Sequence, residues 1–106
     1  MIVEHYDLAV VRLSQPDARW SLGFERARLT VIHEYGTRSW YIDIDGIADR
    51  PLLERFAGSE DIGVAVEAVT IGGRTLKGDG FFHPNLRHAA AAIRGVGELE
   101  GYSPTR

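Results

Sequence analysis

The chain has 106 residues, with 12 basic and 15 acidic side chains and no cysteine. That length supplies one small hydrophobic core and not two, and the missing cysteine excludes disulfides, thiolate catalysis, iron–sulfur clusters and cysteine-ligated zinc. A formal net charge of −3 argues against nucleic-acid or anionic-membrane binding through a generic basic surface.

The opening segment, Met1 to Asp7, mixes charged and apolar residues and shows no basic stretch followed by an apolar one. Apolar runs such as Leu8 to Val11 and Ala89 to Ile93 fall far short of the roughly 20 residues that a membrane helix needs. The expectation is a cytoplasmic protein that does not engage membranes. Residues 2–13 are rich in valine and leucine and read as a long strand, closed by the turn-forming Gln15-Pro16-Asp17-Ala18. Its adjacent Val10 and Val11 blur the two faces, which predicts cover on both sides over part of its length.

Residues 24–35 and 38–47 show the clearest period-two alternation. Ala27, Leu29 and Val31 share one face; Trp40, Ile42 and Ile44 share the matching face of the next strand. A two-residue loop at Gly36-Thr37, with glycine first, is the type II′ pattern. It would set Leu29 opposite Ile44, Val31 opposite Ile42 and His33 opposite Trp40, and pair Arg28 with Asp45 on the other face. A one-residue slip would put the apolar set on the polar face, so the facing is strongly specified.

After Gly46, Asp49 as N-cap, Pro51 in the first turn and Gly58 as terminator predict a short helix over 50–57 crossing one end of the sheet. Strands at 62–71 and 74–82 then flank Gly72-Gly73, a hairpin signal. In this hairpin Val64, Val66, Val69, Ile71, Leu76, Phe81 and Phe82 do not fall on one side. Gly78 and Gly80 predict a bend or a close approach on their strand. Residues 86–94 read either as a short helix capped by Asn85 or as the start of a strand over 89–101; Val96 to Gly101 is strand in both cases.

The expected fold is therefore mainly β: a six-stranded antiparallel barrel or sandwich of two three-stranded meanders, one short crossing helix, and a second short helix near 86–94 as an option. Residues 1–101 form the domain and 102–106 a flexible tail.

No catalytic motif stands out. Asp43, Asp45 and Asp49 could hold a hard cation or act as paired carboxylates, but Tyr41 and Leu52 stand where the outer ligands of a calcium loop belong. An exposed cross-strand pair explains Asp45, and a helix cap explains Asp49. His33, His83 and His88 lack zinc-ligand spacing. Gly78-Asp79-Gly80 and Gly95-Val96-Gly97 lack the third glycine of a dinucleotide fingerprint. Arg26 and Arg28 with Trp20, Phe24 and Tyr41 resemble a base-stacking surface only loosely, since Glu25, Glu34, Asp43 and Asp45 surround them.

The two-sided apolarity of the second hairpin points to a non-catalytic interaction or assembly module, homo-oligomeric and cofactor-free, working through an apolar β surface. The residues expected on that surface, or at the mouth of a ligand-binding barrel, are Trp20, Arg28, His33, Trp40, Tyr41, Val64, Phe81 and Phe82. A small-molecule-binding barrel is the first alternative, with Trp40, Tyr41, Arg28 and His33 at one mouth. A small metal-dependent or acid–base enzyme using Asp43, Asp45 and a histidine is the second.

Overall fold

A computed structural model describes residues 1–103 of the chain. Alternating apolar residues form β1 (Ile2–Gln15), β2 (Ala18–Ser21), β3 (Arg26–Glu34), β4 (Thr37–Asp45), β5 (Gly63–Thr70), β6 (Thr75–Asn85) and β7 (Ala90–Glu100), with one helix, α1 (Arg50–Ala57). All neighbouring strands are antiparallel. They run β2-β1-β3-β4-β7-β6-β5, and a β1–β5 ladder closes six of them into a barrel with β2 as an addition. The expected pair of meanders, β1-β3-β4 and β5-β6-β7, is present. No helix among the described residues is long and apolar enough to cross a membrane.

Closure depends on β1 changing partners. Ile2–Asp7 pair with β3, whereas Leu8–Ser14 pair with β5, and the ladder is irregular between Leu8 and Val10. This bulge inserts Ala9 and reverses the inward face. Leu8 faces inward before it, and Val11 and Leu13 face inward after it; all three are buried. The adjacent valines are thus the sequence trace of a bulge. The freed side of the outer half of β1 takes β2, a four-residue strand that the alternation at 18–21 is too short to announce.

The β3–β4 hairpin differs from expectation by two residues. Leu29 stands opposite Ile42, Val31 opposite Trp40, Arg28 opposite Asp43 and His33 opposite Arg38. The loop is Tyr35-Gly36, with φ of 50° and 75°, so both central residues are left-handed and the turn is type I′. That geometry twists with the flanking strands and suits glycine at the second central position. A two-residue shift preserves parity, which is why Leu29, Val31, Trp40, Ile42 and Ile44 are nevertheless all buried. The Arg28–Asp45 pair does not form: Asp45 faces Arg26, and Arg28 Nε lies 3.4 Å from Asp7 Oδ1 on β1.

Helix α1 forms as its signals predict. The Asp49 carboxylate accepts the Leu52 N–H at 3.1 Å, Pro51 occupies the first turn and Gly58 caps the end. Leu52, Leu53 and Phe56 are buried, and Phe56 packs against Phe82 at 4.6 Å and Trp20 at 5.4 Å between ring centroids. The helix therefore plugs one end of the barrel. The alternative helix at 86–94 is reduced to a single 3-10 turn, Leu86–His88, capped by Asn85, before β7 begins.

The second hairpin is cleaner than its sequence suggests. Val64, Val66, Ala68, Leu76 and Phe82 all face inward and are buried. Val69 is half-buried, while Ile71 and Phe81 are exposed. Most of the apparent apolar surplus is ordinary core once the barrel closes. The strand glycines mark close approaches: a Cβ at Gly78 would lie 2.8 Å from the Trp40 ring, one at Gly80 would lie 2.8 Å from the Arg94 carbonyl, and one at Gly95 would sit within the indole itself. Trp40 lies flat on glycine backbone and donates its indole N–H to Gly97 O at 3.3 Å.

Gly95→Ala is expected to cost about 2–3 kcal/mol by overpacking against Trp40. Gly23→Ala, where nothing lies within 4 Å, should stay within about 0.5 kcal/mol. Urea denaturation of the two variants checks this, and equal stabilities would remove Trp40 from its place on β7.

Candidate functional site

Opposite α1, the inward-facing row changes from apolar to polar. Glu4 and Tyr6 on β1, His33 on β3 and Arg38 on β4 continue the interior faces of Leu8, Val31 and Trp40, and each is partly buried. Tyr102, just past β7, folds back through its N–H to Leu99 O at 3.3 Å and is buried among them. The tail expected from 102 thus begins with a packed side chain; residues 104–106 lie outside the described residues.

The Tyr102 hydroxyl lies 2.7 Å from His33 Nε2 and is also hydrogen-bonded to Glu4. Tyr6 donates its hydroxyl to the same Glu4 carboxylate, whose Oε1 is 3.7 Å from His33 Nε2. The Arg38 guanidinium sits 4.8 Å over the Tyr102 ring, and Tyr6 meets that ring edge-on at 6.2 Å. Arg38 Nε is buried with no hydrogen-bond partner among the described residues. Burial first, then the hydrogen bond and the negative charge of Glu4, push the Tyr102 phenol well above its ordinary value, with Arg38 acting in the opposite direction. The phenol is held neutral, as a donor to a carboxylate.

A second feature lies on the outer face. Cross-strand rows run Arg19–Ser14–Ala65–Asp79–Val96 and Ser21–Arg12–Glu67–Lys77–Glu100 over β2, β1, β5, β6 and β7. The second row is a ladder of alternating charge, with Arg12–Glu67 at 2.8 Å and Lys77–Glu67 at 3.7 Å. The first has small residues at its centre, so the surface sinks there: three adjoining grooves all include Ala65. Phe81, 45% exposed, and Val96, 50% exposed, border this trough.

The residues singled out from sequence are not gathered into one site. Val64, Phe82 and Trp40 are buried core residues. Trp20 is half-buried between Phe56 and the Arg55 guanidinium, which stacks on its ring at 4.9 Å. Arg28 and Tyr41 face outward, opposite in sense to His33 and Trp40, because neighbouring strand positions alternate. The mouth expected from these four residues is therefore not assembled; only His33 stands at the barrel end. Of Val64, Phe81 and Phe82, Phe81 alone is exposed.

Asp43, Asp45 and His83 do line one shallow outer groove with Ala90 and Ala92. Asp43 and His83 flank Ala92 from strands on either side, about 10 Å apart by strand spacing. Among the described residues no group of three or more histidines and carboxylates could hold a metal. Sequence reasoning missed Glu4, Tyr6, Arg38 and Tyr102; the one available signal was that the inward parity of β1, β3 and β4 ends on polar residues. Comparison of the chain with protein-family models, curated proteins and solved structures found no match.

The raised phenol predicts a pH dependence. Where the folded value exceeds the unfolded one, stability is complete below the unfolded value and declines as pH rises past it. Native stability should fall above about pH 10 as the unfolded chain ionises its tyrosine and the folded chain does not. Tyr102→Phe should flatten that fall, and denaturation midpoints measured on both sides of pH 10 read it directly.

Proposed function

We propose that this protein is a non-catalytic binding module that engages a protein partner, a second copy of itself included, through the outer trough of β1, β5, β6 and β7. The observation that carries this reading is the convergence of three grooves on Ala65 beside exposed Phe81 and Val96. Isolated exposed apolar residues are ordinary on a protein surface. Two of them bordering a depression with a floor of small residues make a place for a partner's side chain.

The interior supports the same reading. Val11, Leu29, Val31, Ile42, Ile93 and Phe82 fill the barrel, so recognition falls to surfaces and ends. The charge ladder Arg12–Glu67–Lys77 runs along the trough and supplies a polar rim that can set orientation. A cytoplasmic setting belongs to this proposal and fits a chain without cysteine.

Size-exclusion chromatography with light scattering, from micromolar to millimolar concentration, tests self-association. The wild-type chain is expected to gain mass across that range. Phe81→Asp and Ala65→Arg, both at exposed positions, should remain monomeric with little change in melting temperature, a loss of at least about tenfold in affinity. A wild-type chain that stays monomeric throughout, and that recovers no partner lost on Phe81→Asp in pull-downs, would overturn the proposal.

A further inference from the structure

The polar end of the barrel recognises more of Tyr102 than a lid requires. To close a barrel end an apolar ring is enough, as Phe56 demonstrates at the other end. Here the hydroxyl is read twice, by the Glu4 carboxylate as acceptor and by His33 Nε2 within 2.7 Å. The ring is read on its face by Arg38 at 4.8 Å, in a perpendicular contact by Tyr6 at 6.2 Å, and by the tilted His33 imidazole at 5.7 Å.

The groups doing the reading belong to β1, β3 and β4, whose ladders set their backbone positions without help from Tyr102. Burying a carboxylate, an imidazole and a guanidinium at a barrel end is costly unless a partner satisfies them. The partner they fit is an aromatic ring with one hydroxyl.

We infer that this end of the barrel is a phenol-binding socket, which the chain fills with its own Tyr102. Its ligand class is a phenol carrying one small substituent para to the hydroxyl, the shape of the side chain that occupies it. Tyr102 then acts as a built-in competitor: an external phenol enters only when the Tyr102 ring leaves. This site is separate from the outer trough and stands or falls independently of it.

The test uses the full chain with Tyr102→Ala and the probe p-cresol, with toluene as the isostere lacking a hydroxyl. Ligands that prefer the native state raise its melting temperature. p-Cresol is expected to stabilise Tyr102→Ala in a saturable manner and to leave the wild type unaffected at the same concentrations. Toluene should bind about tenfold more weakly, because it offers no hydroxyl to the Glu4 carboxylate and His33 Nε2. Adding Glu4→Gln to Tyr102→Ala should reduce the preference for p-cresol, because a neutral amide accepts the hydroxyl less strongly than a carboxylate. Equal responses to the two probes, or equal responses of wild type and variant, would overturn the inference.

If Tyr102→Ala does not fold, a double-mutant cycle of Tyr102→Phe and Glu4→Gln reads the same recognition in folded protein. Coupling of about tenfold in the unfolding constant supports the socket, and additive effects overturn it.

Discussion

The closure of the sheet hangs on a single strand that serves two partners in turn. β1 pairs with β3 over its first half and with β5 over its second, and the irregularity at Ala9 turns its side chains over as it crosses. Without that reversal Val10 would take the inward place of Val11, and the second half of β1 would present Arg12 and Ser14 to the core. With it, six strands close, and the hairpin of β5 and β6 has its apolar face buried by the same chain. The apolar content that looks excessive for an open sheet is what a closed one consumes.

Closure also sorts the chemistry to the two ends. One is sealed by α1 through Leu52, Leu53 and Phe56, an apolar stopper packed against Phe82 and Trp20. The other gathers Glu4, Tyr6, His33 and Arg38 around Tyr102. Between them the interior is filled, so the barrel is a solid support with two differently finished ends and one depressed flank. A partner or ligand of such a molecule would meet its boundaries and not its interior.

Much of this was legible from residue order. Alternation defines the faces of β3 and β4 even though the turn type was misjudged, because a shift of two residues leaves every side chain on its own face. Asp49, Pro51 and Gly58 are local signals acting over a few residues, and α1 follows them closely. What escaped was nonlocal. The bulge at Ala9 shows in sequence only as two adjacent valines, and Phe81 and Phe82 look alike until the partner strand assigns one outward and one inward. The polar end draws residues 4, 6, 33, 38 and 102 from four places in the chain, and each alone passes for an ordinary polar residue near a strand terminus.

The packing of Trp40 on glycine backbone gives the molecule a pair of optical reporters. Its indole is enclosed and bonded to Gly97 O, and so emits from an apolar setting that exists only while β4 and β7 are in place. Trp20 is half-buried under Arg55 and against Phe56, and so reports the seating of α1. Variants of this chain that keep one tryptophan each would therefore let loosening of the helix be followed separately from opening of the sheet.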